Sequence, residues 1–171
     1  MDYFELIDHR KSIRAFLSTP VVGEKLEALL AATNKAPSAG NLQAYEVFLV
    51  TRQEDRQALA RAAGGQEFIG QAPVALVFCT HSAKNEGRYG QRGVRLYSLQ
   101  DATIACTYAM LAASALGLAS VWVGAFDDDQ VSQVIGVEQE LRPVAILPVG
   151  YAAEDPVPKK RRALGEIVHR L

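Results

Sequence analysis

Val74-Ala75-Leu76-Val77-Phe78-Cys79 is a continuous apolar run. Its character predicts a strand at the centre of a sheet, buried on both faces. Working outward, Tyr45–Val50 and Ala119–Gly124 read as further strands, the second closed by Gly124, and Val144–Tyr151 as another whose Pro148 suggests an edge or an irregular end. Between them lie helical patterns. Residues 2–9 form a short amphipathic stretch. In 23–35, Leu26, Leu29, Leu30 and Thr33 recur at helical spacing until Pro37 stops the helix. Residues 54–63 end at Gly64-Gly65, and 94–116, capped by Gly117, is the longest pattern. Ala102, Ala105, Ala109, Ala112 and Ala113 make one side of that helix small, which suits either core packing or a helix–helix dimer contact. Asp127-Asp128-Asp129 opens a helix through Ile135, its carboxylates matched to the positive N-terminal end rather than to a metal. Residues 82–93 are polar and glycine-rich and read as a mobile surface segment.

Strands and helices alternate without repeat or linker, so one domain over residues 1–171 is expected. A 49% apolar content supports a core of ordinary size. No apolar run approaches the roughly 20 residues that span a bilayer. The opening Met-Asp-Tyr-Phe-Glu lacks a signal-peptide pattern, and a cytoplasmic protein is expected. The two cysteines, Cys79 and Cys106, sit in apolar stretches without metal-site spacing, and His9, His81 and His169 are scattered. No metal site is predicted.

Charge is concentrated at two places. Arg10-Lys11-Ser12-Ile13-Arg14 near the start and Lys159-Lys160-Arg161-Arg162 near the end hold seven of the 18 Lys and Arg residues and none of the 19 Asp and Glu. The remainder carries 11 cations against 19 carboxylates. Compact basic clusters on an acidic body fit a discrete anion and argue against coating nucleic acid. Guanidinium forks with a neighbouring hydroxyl are suited to a phosphate; the second run also fits a solvated tail. Pro37-Ser38-Ala39-Gly40-Asn41 is a loop that tolerates close backbone approach. No nucleophile–base pair, hydrolase elbow or Walker loop is present, so no side chain is assigned a catalytic acid, base or nucleophile role. This inventory suits a protein that positions a phosphorylated cofactor and leaves the hard chemistry to it.

The chain resembles the flavin-dependent nitroreductase family, particularly its short members. The matching blocks are Arg10-Lys11-Ser12-Ile13-Arg14-x-Phe16, Ala36-Pro37-Ser38-Ala39-Gly40-Asn41-Leu42-Gln43, Leu99-Gln100-Asp101-Ala102, Leu116-Gly117-Leu118 leading to Trp122-Val123-Gly124, Leu141-Arg142-Pro143-Val144 running to Gly150-Tyr151, and Lys160-Arg161-Arg162-Ala163-Leu164. They occur in family order over nearly the whole chain. The resemblance implies an α+β fold, a mixed and mainly antiparallel sheet flanked by helices, in an intertwined homodimer that exchanges C-terminal arms. It implies FMN at the subunit interface, NADH or NADPH as donor, and a nitroaromatic, quinone or related small acceptor in a ping-pong cycle. FMN binding without turnover and reductive dehalogenation stay open as alternatives. Carried over by position, Arg10, Ser12 and Lys11 would contact the phosphate end and Arg14 the N1–O2 edge of the ring. Pro37, Ser38 and Ala39 would come from the partner, Asn41 would bond the pyrimidine part, and Val123 and Gly124 would face N5 and O4. Arg161, or alternatively Arg162, would complete the phosphate site with Lys159 as helper. The short segment after Cys79 implies an open pocket, with Lys84, Arg88, Tyr89 and Arg92 as candidates for its rim.

Overall fold

The computed structural model of the chain describes residues 1–137 and 140–171. In chain order its elements are α1 (Tyr3–His9), α2 (Gly23–Thr33), a 3₁₀ turn (Ala39–Asn41), β1 (Tyr45–Val50), α3 (Gln53–Ala62), α4 (Phe68–Gln71), β2 (Val74–His81), α5 (Ala83–Arg92), a π-helical turn (Gly93–Tyr97), α6 (Ser98–Ala115), β3 (Ala119–Ser120), α7 (Asp128–Ile135), β4 (Leu141–Gly150) and a 3₁₀ turn (Leu164–Glu166). The strands form one sheet in the order β1-β2-β4-β3, every neighbouring pair antiparallel. A parallel bridge between Ser12 and Ser120 makes the arrangement mixed.

Both faces of β2 are covered. Val74, Leu76 and Phe78 join Ala145, Leu147 and Val149 of β4 beneath Leu29 of α2 and Ala102, Ala105, Cys106, Ala109 and Ala113 of α6. Ala75, Val77 and Cys79 face the other way with Ile146, against Leu59 and Ala60 of α3, Ile69 of α4 and Val131 of α7. Successive strand residues point to opposite faces, so a strand with helices on both sides needs an unbroken apolar run even when its neighbours are antiparallel. The same packing uses four of the five small residues on α6. Ala102, Ala105, Ala109 and Ala113 are fully buried within the chain and let α6 lie close to the sheet and to α2.

Three expectations are corrected. Within the 82–93 segment, Ala83–Arg92 form helix α5, kinked at Gly90, rather than a loop, because Asn85 on it is fully buried and hydrogen-bonded to the following helix. Only Ala119 and Ser120 of the predicted 119–124 strand are regular, and Pro148 lies in β4, which is central rather than an edge. The last two corrections share a cause. Pairs 119–150, 120–149 and 123–146 place Pro148 opposite Val121. Proline has no N–H to donate, so the ladder fails there and resumes where Val123 and Ile146 exchange two 2.9 Å bonds.

Burial pushes the Cys79 thiol up to about 12, with the Glu46 charge adding to it, and burial raises Cys106 as well. Both cysteines are free. The native protein should therefore not react with an aromatic disulfide reagent, whereas both thiols should react after unfolding. Rapid labelling of either in the native state would contradict this packing.

Among the described residues no helix is long and apolar enough to cross a membrane. α1 buries none of its side chains, leaving Tyr3 and Phe4 exposed, and Val157, Leu164, Ile167 and Val168 of the C-terminal arm are exposed too.

Candidate functional site

The first basic run begins where α1 ends. Asp2 and Glu5 form a capping box at the helix start, and Arg10 closes the helix in extended geometry. The chain then runs beside β3: Ile13 N–H donates to the Ser120 carbonyl at 3.2 Å. Ile13 and Phe16 are buried with Ala72 and Ala119. Side chains alternate along an extended segment, so burying Ile13 turns Ser12 and Arg14 outward.

There they meet the C-terminal arm. A cleft of about 350 Å³ is lined by Arg10, Lys11, Ser12 and Arg14 from the first run and by Lys159 and Arg161 from the second, with Pro156 and Pro158 shaping the arm. The distant clusters thus share one cavity within a single chain. Arg162 turns away and engages Glu166, its Nη2 donating to the Glu166 carbonyl at 2.7 Å. One carboxylate, Asp8, also lines the cleft, and two more on the arm, outside its lining, bind residues of the first run. Lys11 Nζ pairs with Asp155 at 2.5 Å, and Glu154 accepts the Arg14 backbone N–H. The hydrogen bond from Lys11 holds the Asp155 carboxyl below the usual range. An anion that engages Lys11 must compete with Asp155.

The Pro37–Asn41 loop does not line this cleft; it is set by a separate buried network. Asp101 Oδ1 accepts the Ala39 N–H at 2.9 Å, and Asp101 Oδ2 accepts from Asn85 Nδ2 at 3.1 Å. Asn85 Nδ2 also reaches Ser98 Oγ at 3.2 Å, and Ser98 Oγ donates to the Gly93 carbonyl at 3.0 Å. Ser38 Oγ accepts the Gln43 N–H at 2.9 Å. Gly40 has φ +55°, a conformation glycine adopts without a Cβ penalty, and a Cβ there would lie 2.5 Å from Tyr89 Oη, so the Tyr89 side chain would have to shift. Asn41 follows at φ 59° and is exposed. Asp101 lay inside a matched block, but nothing in spacing pairs it with Ala39 or Asn85.

Val123 is buried and Gly124 exposed at the end of the interrupted strand. The Ser12–Ser120 bridge fixes the basic run beside the segment that leads to them. Among the described residues no group of three or more His, Cys, Asp or Glu is placed to hold a metal. Asp127 caps α7, accepting from Gln130 N–H at 2.9 Å.

One further cluster was not legible from spacing. Glu46 Oε1 lies 2.7 Å from His81 Nδ1 and 2.9 Å from Lys84 Nζ. Burial pushes the Glu46 carboxyl up, but Lys84 and His81 together outweigh it and leave the group below its ordinary value. A lowered carboxyl contributes stability above the ordinary carboxylate range, lost as pH falls through the lowered folded value. Glu46→Gln should cost under about 1 kcal/mol at neutral pH, since the pair is partly solvated. Urea unfolding should show that cost vanishing in acid; a cost that grows on acidification would contradict the assignment.

The fold and cleft define an α+β protein with a cationic cleft beside its sheet. The family model described as "Nitroreductase family" matches residues 7–66 and 52–151. The chain belongs to the nitroreductase family. It is 32% identical to the FMN reductase [NAD(P)H] of Bacillus subtilis (strain 168), over 96% of this chain and 71% of that protein. It is 28% identical to the oxygen-insensitive NADPH nitroreductase of Salmonella typhimurium, over 96% and 72%. Among solved structures, the hypothetical oxidoreductase YcnD from Bacillus subtilis superposes with a TM-score of 0.90 at 29% identity, covering 98% of this chain and 73% of that one.

Proposed function

We propose that this chain is an FMN-dependent oxidoreductase that passes electrons from NADH or NADPH to a nitroaromatic, quinone or related small acceptor in a ping-pong cycle. The observation that carries the reading is the cleft that unites Arg10, Lys11, Ser12 and Arg14 with Lys159 and Arg161. Its donor set, five cations and a hydroxyl, fits a phosphate monoester. FMN, when bound, supplies the two-electron carrier that the protein lacks.

Arg10, Lys11, Ser12, Lys159 and Arg161 are assigned to the phosphate end. Arg161 takes this role over Arg162, which is occupied with Glu166. Arg14 is assigned to stabilise negative charge gained on reduction. The Val123–Gly124 backbone is assigned to orient the ring, and Pro37, Ser38, Ala39 and Asn41 to cover it from the partner subunit. That division agrees with a loop that stays out of its own chain's cleft. The exposed apolar residues of α1 and the arm are the surface expected to be buried in a homodimer. A cytoplasmic setting accords with dependence on reduced dinucleotides.

With FMN bound, the protein should oxidise NADH or NADPH in the presence of a quinone or nitroaromatic, giving parallel double-reciprocal lines. Converging lines would overturn the ping-pong order. Sedimentation should give a dimer, and a monomer that binds FMN tightly would contradict the shared site.

A further inference from the structure

Helix α5 carries an aromatic and basic cluster that the cleft does not use. Arg88 Nη1 lies 3.5 Å from the Gly40 carbonyl, and Tyr89 Oη fills the space a Cβ at Gly40 would need, so the cluster packs on the Ser38–Asn41 loop. The Arg88 guanidinium lies over the Tyr89 ring, 5.4 Å from its centroid, and that of Arg92 over Tyr97 at 5.5 Å, while the two rings meet edge to face at 5.1 Å. Arg92 Nε also donates to Tyr97 Oη at 3.1 Å. Both guanidiniums are exposed. Among the described residues neither has a carboxylate within 4.0 Å, whereas Lys84 on the same helix is paired with Glu46. The cation–π contacts and the bonds to the Gly40 carbonyl and Tyr97 Oη restrain each guanidinium and leave other N–H groups available.

We propose that Arg88 and Arg92 form a binding site for a phosphate of the nicotinamide dinucleotide. The inference rests on the reductase reading above. Of the substrates in that cycle, only the dinucleotide carries phosphate; a nitroaromatic or quinone gives two oriented guanidiniums nothing to bind. The phosphate chemistry has two sources, the pyrophosphate common to NADH and NADPH and the 2′-phosphate that only NADPH carries. With Arg88 against the loop assigned to the flavin ring, a dinucleotide gripped here has its nicotinamide end within reach of that loop.

The test uses the FMN-loaded protein and calorimetric titration with adenosine 2′,5′-bisphosphate and with ADP. Arg88→Ala and Arg92→Ala should each weaken phosphate binding about tenfold, the order of one charge-assisted hydrogen bond. Arg92→Ala is the cleaner variant, because Arg92 makes no contact with the Gly40 carbonyl. Weakened bisphosphate binding with ADP unchanged assigns the 2′-phosphate and a preference for NADPH. Equal weakening of both assigns the 5′-phosphate they share, which in NADH and NADPH is part of the pyrophosphate. Unchanged affinities for both ligands in the double variant would overturn the proposal. If neither dinucleotide reduces the flavin while binding still depends on Arg88 and Arg92, the phosphate site stands and the reductase reading falls.

Discussion

Asp101→Ala should lower the unfolding free energy by about 3 kcal/mol and lower Tm by about 10 °C. The carboxylate is 2% exposed and serves two donors, the Ala39 backbone N–H and the Asn85 amide. Alanine strands both where water cannot replace it, and each stranded donor costs about 1–3 kcal/mol. Asn85 already has an Oδ1 without a partner. Asp101→Asn should be milder, because its oxygen can keep the Ala39 bond and Asn85 can turn its free oxygen toward the new amide. Beyond stability, the alanine variant should weaken FMN binding by releasing the loop at Ala39. Thermal unfolding with FMN titration checks both effects. A variant as stable as the parent would mean that the network does not set the loop.

Arg10→Ala should weaken FMN binding by roughly ten- to a hundredfold, the loss of one or two charge-assisted hydrogen bonds to phosphate. Arg10 is half-buried at the meeting point of the two basic runs, where neighbouring cations cannot take its geometry. Arg14 is exposed, and its backbone N–H is bound to Glu154. Arg14→Ala should therefore act mainly on redox behaviour, lowering the flavin potential and slowing its reduction more than it weakens binding. Titration of apoprotein with FMN, together with the midpoint potential of each variant, separates the roles. Equal effects of the two substitutions on both properties would show the roles to be misassigned.

The layout of the fold was readable wherever a segment's own pattern matched its environment. Val74–Cys79 announced a strand covered on both sides, and the helix over 23–35 ended near its proline. The segment over 82–93 was not readable, because Gly87, Gly90 and its polar residues favour a loop and the helix is held by burying Asn85 against Ser98 and Asp101. Pro148 misled for a related reason. Its missing N–H faces only the short strand β3, so the β4 pairing with β2 survives and the defect appears in 121–122 instead. For the site, the two basic runs were legible as compact cationic clusters, and their meeting in one cleft depends on the path of the arm. The pairing of Asp155 with Lys11, the bond from Arg14 N–H to Glu154 and the support at Asp101 come from contacts between residues far apart in sequence.

Electron transfer through FMN held by this chain is tested most directly by the visible spectrum of the FMN-loaded protein under anaerobic conditions. Adding NADPH or NADH should bleach the oxidised flavin bands, and a quinone added afterwards should restore them. A protein that keeps FMN bound and oxidised with both dinucleotides in excess would contradict the account.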